Sequence, residues 1–417
     1  MQSTNDTTNF NDAEESIKIC DLESMLRESH NDGRLQLIDF KASNLVPTGE
    51  NFSSVLVKVE AKIRRGSGEK EVLHLVAKTI KHMEVPFVIW TDVLKKEIFI
   101  YSKLIPMYRE LQKDAGVAEN DLIDCVPKYI AHRYTMKKDG KEVDDQSLLL
   151  MENIKVLGYY TCDRKKGLDF QHAALALTTL ARYHALGVVL AQKRPHDFEK
   201  AKRETVTLGF VAGEFEKGYD SLLQTFEEGP RFAKHLPKIR AAFATVKKGE
   251  IISGTKEPWI TIIHGDFWTN NLMFHNNDYG EIDSVKFVDF QMCLYASPCR
   301  DLAYFLFCSF DQDLFDRLDE LLELYFKKFT DTLRCMGCDT AVFTRKSFDE
   351  DFKNQTSIGF PMFVLCIKYF TYEVSEEEEK DREIAKNVLR SKCSELCKDK
   401  FKRLCEMYEE RGWFQSL

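Results

Sequence analysis

The sequence predicts an α+β chain of two lobes: a smaller N-terminal lobe built on a five-stranded antiparallel sheet with one helix, and a larger, mostly helical C-terminal lobe. Three observations carry that expectation. In the N-terminal third, Val55, Val57, Val59, Ala61 and Ile63 alternate with Lys58, Glu60, Lys62 and Arg64, the period-two pattern of a half-buried strand. Beyond residue 155, apolar residues recur at three- and four-residue spacing, the stripe of helices buried on one side. Within that helical half, short apolar runs bracket a polar loop, His264-Gly265-Asp266-Phe267-Trp268-Thr269-Asn270-Asn271.

In chain order, residues 1–13 are rich in Asn, Thr and Asp and read as a disordered tail. The N-terminal lobe, 14–151, starts with a strand from Leu35 to Lys41, then the loop Val46 to Ser54, the alternating strand and the turn Arg65-Gly66-Ser67-Gly68. A third strand, Val72 to Thr79, ends Leu75-Val76-Ala77-Lys78 and puts Lys78 on the inner face with Val72 and Val76. The stretch from about Val88 to Leu111 has helical spacing and carries Glu97 among Val93, Leu94, Ile98 and Tyr101. Two further strands, Val126 to Ala131 and Ser147 to Met151, are separated by a charged turn at Lys137-Lys138-Asp139-Gly140. Residues 152–154 form the crossing between lobes, and 155–417 the C-terminal lobe. There Phe170, Ala173, Ala174, Leu177, Leu180, Ala181, His184 and Val188 mark a long helix. Further stripes run through Phe315, Leu318, Leu321, Leu322, Tyr325 and Phe326, and from Phe360 to Phe370. The acidic run Glu376 to Glu379 follows Ser375, which with Glu378 makes a capping box, so it reads as a solvated helix start and not a metal site.

The polar loop carries the chemistry. A string of the form H-x-D-x-x-x-x-N supplies a carboxylate that takes the proton of an attacking hydroxyl, and an amide five positions later that holds Mg²⁺. Asp266 and Asn271 stand at that spacing. A second carboxylate must bridge the metal to the phosphates, and Phe287-Val288-Asp289-Phe290-Gln291 offers Asp289. Leu272-Met273-Phe274, the turn Asn276 to Gly280 and Val285 to Val288 make one hairpin between them, bringing Asp266, Asn271 and Asp289 around one ion. Either string alone is a common turn; their conjunction points to phosphoryl transfer. Lys78, in the strand context of a phosphate-binding lysine, is the candidate cation, with Glu97 as its partner; the alternatives are a solvated strand-end lysine and a surface glutamate beside Lys95 and Lys96. The loop over the phosphates has one glycine, Gly49, with Ser53 as a side-chain candidate, and matches neither G-x-G-x-x-G nor a Walker motif. At the crossing, backbone groups of Met151, Glu152 and Asn153 are placed to meet an adenine edge.

These residues carry a resemblance. His264-Gly265-Asp266, Trp268, Asn271, Asp289-Phe290-Gln291 and Ser297-Pro298-x-x-Asp301-Leu302 resemble the ecdysteroid kinase-like, or CHK kinase-like, family, itself similar to choline and aminoglycoside kinases. The resemblance spans nearly the whole chain and implies a protein-kinase-like fold. It also implies ATP- and Mg²⁺-dependent phosphorylation of a small-molecule hydroxyl, with ecdysteroids and detoxified xenobiotics such as glycosides as acceptor classes. It gives His264 a bracing role; Asp301 either ties the loop down or caps its helix, and His184 reads as a hydrogen-bonded core residue. Phe267 and Trp268 follow the base directly, and apolar rings there would stack on a flat acceptor; for Trp268 the alternative is a core anchor.

Composition narrows the remaining classes. A net charge of −8 without a basic stripe opposes nucleic-acid binding. No run of eighteen apolar residues exists, and Met1 to Asp6 lacks the features of a signal peptide, so no membrane partner and a cytoplasmic location are expected. The twelve cysteines are scattered; Cys335-x-x-Cys338 has no second pair at ligand spacing, so reduced thiols are expected. Two rival readings stay open: a choline- or aminoglycoside-type kinase, and a pseudokinase that binds without turnover, which the intact base and metal positions disfavour.

Overall fold

The computed structural model describes residues 19–45, 54–80, 90–137, 140, 142–144, 146–205, 212–228, 230–247, 257–309, 312–372, 387–388 and 391–416. Helix α1 (Ile19–Ser29) precedes three strands, β1 (Gln36–Asn44), β2 (Ser54–Arg64) and β3 (Lys70–Ile80). Helix α2 (Trp90–Phe99) continues through a π turn, Ile100–Leu104, into α3 (Ile105–Asp114), and β4 (Tyr129–Arg133) and β5 (Leu148–Glu152) complete the sheet. The five strands lie in the order β1-β2-β3-β5-β4, every neighbouring pair antiparallel. The alternation of β2 decides its faces: Val57, Val59, Ala61 and Ile63 are fully buried and pack with Leu75 and Ala77 of β3 and with Leu22, Met25 and Leu26 of α1.

That packing corrects one expectation. Lys78 does share its face with Val72 and Val76, but this is not the face of the sheet's own core, and Val72 is exposed. Lys78 instead stands opposite Leu149 of β5, and Val76 opposite Met151; Leu149 and Met151 belong to the second core, which continues through α2. The lysine therefore points to the side where the two halves of the chain meet. The fourth strand also begins later than expected, at Tyr129 instead of Val126.

The second half is helical around two small sheets. Helices α4 (Phe170–Lys193), α5 (Pro195–Glu204), α6 (Ala212–Glu227) and α7 (Leu236–Lys247) come first. Next come β6 (Thr261–Ile263), the hairpin of β7 (Leu272–Asn276) and β8 (Ile282–Phe287), and β9 (Leu294–Ala296), which pairs with β6. Helices α8 (Pro298–Cys308), α9 (Leu318–Cys335), α10 (Arg345–Thr371) and α11 (Glu395–Glu410) follow. Helix α4 has the length and apolarity of a membrane span, yet most of it is buried, with Ala173, Leu177, Leu180 and Ala181 among its fully buried residues. Each such leucine contributes about 1.5–3 kcal/mol of burial, so this helix serves as the axis of the core. Its start is capped by Asp169, whose carboxylate accepts from the His172 amide.

The hairpin is seated against the first half of the chain. The Phe287 amide donates to the carbonyl of Cys125 at 2.7 Å, and the buried Lys286 ammonium reaches the Asp124 carboxylate at 2.6 Å. Among the described residues eleven cysteines are free thiols, Cys335 and Cys338 included. The expected tail 1–13, Gly49, Ser53 and the Glu376 to Glu379 run lie outside the described residues.

Candidate active site

The loop 264–271 is built on a carboxylate beneath it. Asp301, in the first turn of α8 and almost fully buried, accepts the His264 amide at 2.6 Å on one oxygen and the Gly265 amide at 2.8 Å on the other. His184 of α4 approaches the first oxygen at 3.2 Å through Nε2, which therefore carries the proton, while its Nδ1 accepts from the Tyr325 hydroxyl of α9 at 2.8 Å. Burial alone would raise the Asp301 pKa, but its contacts with His184, His264 and the Gly265 amide hold it below the usual range. So Asp301 ties the loop down; the N-cap of α8 is Ser297, whose hydroxyl accepts from the Cys299 amide. Gly265 is at φ 80°, and a Cβ there would lie 2.0 Å from the Met292 carbonyl oxygen, so no other residue fits this turn.

His264 links the two halves of the site. Its Nδ1 accepts from the Asp266 amide at 3.3 Å and its Nε2 donates to the Val288 carbonyl at 3.0 Å, which fixes a neutral ring. Burial lowers its pKa and agrees with that tautomer. The imidazole thus holds the backbone of Asp266 against the backbone next to Asp289.

Asp266 is gripped from both sides. Asn271 donates from Nδ2 to the Asp266 backbone oxygen at 2.8 Å and to its Oδ2 at 2.9 Å, and the hydroxyl of Tyr304 on α8 donates to Oδ1 at 2.8 Å. Burial, followed by the nearby Asp289 charge, pushes the Asp266 carboxyl up to about 6, against the polar contacts of Tyr304, Asn271 and the Trp268 side chain. That is the range in which a carboxylate exchanges a proton near neutral pH.

Asp289 sits at φ 68°, ψ 62°, a left-handed conformation that costs about 1–2 kcal/mol for a residue with a side chain. Two contacts hold it there: Val288 donates to the Asn271 carbonyl at 3.0 Å, and Phe290 buries its ring against His264 and edge-on to Tyr101 of the π turn. The Asp289 carboxylate then meets Lys78 Nζ at 2.9 Å, and Lys78 meets Glu97 at 2.6 Å, with lysine and glutamate both buried. Burial works against the Lys78 ammonium, but attraction to Asp289 and Glu97 outweighs it and raises its pKa. Burial raises Glu97, and Lys78 opposes that rise. Residues 78, 97, 266, 271 and 289 thus come to one place.

The remaining candidates divide. Trp268 is half-buried and lies flat on Phe370 of α10, ring centres 3.7 Å apart and planes 8° from parallel. Phe267, expected beside an acceptor, is instead fully buried against Phe287 and Phe305, because the loop alternates and its neighbour takes the open side. Met151 is in β5; the Glu152 amide donates to Lys128 and the Asn153 amide to His74, both at 2.9 Å, so neither N–H is available to an adenine edge. Tyr304 was not anticipated from sequence; it lies three residues after Asp301 on α8, and that helical spacing is the one signal for it.

A metal would find an oxygen donor set here. Asn271 commits its Nδ2 to Asp266, which leaves Oδ1, and with the Asp289 carboxylate that makes a pair of hard donors of the kind Mg²⁺ takes. Among the described residues no cluster of three or more His, Cys, Asp or Glu side chains suits a metal, so a Cys- or His-type site is not formed there.

The sequence profile of the ecdysteroid kinase-like family matches residues 48–338. No curated protein matches the chain. Among solved structures it is similar to an amicoumacin kinase in complex with AMP-PNP, Ca²⁺ and its ligand, at 13% identity over 87% of this chain and 90% of that one, TM-score 0.44. A spectinomycin phosphotransferase in complex with ADP and spectinomycin is 10% identical over 93% and 99%, TM-score 0.43. A Plasmodium vivax ethanolamine kinase is 10% identical over 90% and 83%, TM-score 0.41.

Proposed function

The chain belongs to the ecdysteroid kinase-like family, small-molecule phosphotransferases acting on hydroxyl groups, and we propose that it transfers the γ-phosphoryl group of ATP to a hydroxyl of a neutral, ring-bearing acceptor. The observation that carries this reading is the buried Lys78 ammonium bridging Glu97 and Asp289 beside Asp266, two carboxylate contacts at 2.6 and 2.9 Å. A buried lysine held by two carboxylates is a costly arrangement to keep for stability alone, and it is the arrangement phosphoryl transfer uses.

In this reading Lys78, steadied by Glu97, binds the α- and β-phosphates. Asp289 and the Asn271 carbonyl oxygen would hold Mg²⁺, which when bound supplies charge neutralisation at the β- and γ-phosphates. Asp266 accepts the proton of the acceptor hydroxyl as that oxygen bonds to the γ-phosphorus and the bond to the β–γ bridging oxygen breaks, releasing ADP. Its pKa of about 6 keeps it ionised at neutral pH yet basic enough to take a proton. Trp268 and Phe370, stacked beside the base, favour an acceptor with a flat apolar body, a sterol or an aromatic glycoside, over a polycation.

Purified protein with ATP and Mg²⁺ should release ADP in the presence of at least one ring-bearing alcohol from a panel of ecdysteroids and phenolic glycosides, and EDTA should stop it. Equal or greater kcat/KM with choline or aminoglycosides would remove the acceptor class. No acceptor-dependent ADP release across the whole panel would remove the kinase reading for this site.

A further inference from the structure

We propose that Tyr304 is the positioning residue for Asp266, its phenolic hydroxyl holding the carboxylate in the orientation from which it takes the acceptor's proton. This rests on the reading of Asp266 as the base. The hydroxyl donates to Asp266 Oδ1 at 2.8 Å while Asn271 donates to Oδ2 at 2.9 Å, so rotation of the side chain breaks a bond on either side. The two carboxylate oxygens have four lone pairs between them, so Tyr304, Asn271 and the Trp268 side chain still leave one for the acceptor hydroxyl.

The two grips differ in kind. Asn271 also offers the carbonyl oxygen assigned to the metal, so its orientation answers to two demands, whereas Tyr304 answers to one. Its hydroxyl oxygen accepts from the Cys366 thiol of α10 at 3.4 Å, and its ring meets Phe363 of the same helix edge-on. The phenol is therefore fixed from α8 and α10 together. Burial and the Asp266 charge raise the Tyr304 pKa well above the ordinary phenol range, so the group remains a donor throughout. In turnover the acceptor O–H bond breaks and its proton passes to Asp266, the O–P bond forms and ADP leaves; Tyr304 keeps its own proton. Asp301 and Tyr304, one turn apart on α8, would then fix the backbone and the side chain of the same loop.

The test is Tyr304→Phe, which keeps the ring and removes the donor. Turnover (kcat) should fall roughly 10- to 100-fold, the value of a hydrogen bond to a charged group, with KM for ATP and acceptor within about twofold of wild type. Introduced into an Asp266→Asn background, the same change should cost nothing further. Crystals of the single variant should show the Asp266 carboxylate rotated or spread over several conformers. Unchanged kcat, an equal loss in both backgrounds, or an unmoved carboxylate would each overturn the proposal. If the wild type phosphorylates no acceptor, Asp266 loses its assignment as base, while the two crystal structures still decide whether Tyr304 holds it: a rotated carboxylate upholds that hold and an unmoved one overturns it.

Discussion

Asp301, almost fully buried, and Asp266, half-buried, are two carboxylates on either side of one turn of chain, and the protein treats them in opposite ways. Beneath the loop, Asp301 collects two backbone amides and a histidine, and its pKa is held low. At the mouth, Asp266 receives the Tyr304 phenol, the Asn271 amide and the Trp268 side chain, faces the like charge of Asp289, and is pushed up to about 6. Desolvation raises both, so the neighbouring charges decide the outcome: a histidine beside Asp301, another carboxylate beside Asp266. A carboxylate held by amides and a histidine serves as a rivet, and one set beside another carboxylate retains an appetite for a proton.

The sharpest way to break this contrast is to neutralise each in turn. Asp266→Asn should lower kcat by roughly 10²–10⁴ and leave the melting temperature unchanged or higher, since a partly desolvated charge facing Asp289 is removed. Asp301→Ala should do the reverse in emphasis, lowering stability by about 3–5 kcal/mol because two amides and His184 lose their acceptor; urea denaturation would measure it. If Asp266→Asn unfolds the protein or Asp301→Ala leaves stability intact, the two roles have been exchanged.

Acidity separates them next. A base must be ionised, so log(kcat/KM) should fall with unit slope as pH drops below about 6. The stability contributions run in opposite directions. The folded pKa of Asp266 lies above the unfolded value of ~3.9, so its contribution is present in full below that value and is lost as pH rises through about 6. Asp301, depressed, contributes above the unfolded value and loses its contribution as pH falls through its own lowered pKa. Stability measured from pH 3 to 7 in the Asp266→Asn and Asp301→Ala variants should show slope changes of opposite sign. The smallest effect concerns the rim: Trp268→Ala, which removes the ring stacked on Phe370, should raise KM for a ring-bearing acceptor roughly 3- to 10-fold, the worth of an aromatic pair, with KM for ATP unmoved. An equal rise for ATP would take Trp268 out of the acceptor side.

Much of the architecture was legible because it is written in local periods. The alternation in β2, the three-and-four spacing of α4 and the charged turns all report on neighbours a few residues away, and the five-stranded sheet follows from them. Loop strings likewise carry Asp266, Asn271 and Asp289 within 24 positions. What escaped lies at the ends of long-range contacts. Tyr304 meets Asp266 across 38 positions, and nothing in Leu302-Ala303-Tyr304-Phe305 distinguishes a phenol bound for a carboxylate from one bound for the core. Phe267 was misjudged for a related reason: adjacency to the base says nothing about which side of the chain a ring takes. The face of β3 was misassigned because alternation tells which residues share a face but not which face the helix covers.

The π turn at Ile100–Leu104 has one consequence beyond its neighbourhood. Glu97 precedes it and must aim at Lys78, while Tyr108 follows it and meets Tyr183 of α4 with ring centres 5.6 Å apart. An additional residue in one turn rotates everything after it by about 100° relative to an unbroken helix. The bulge thus works as a phase shifter within a single rod, letting one end be clocked to the sheet and the other to the core.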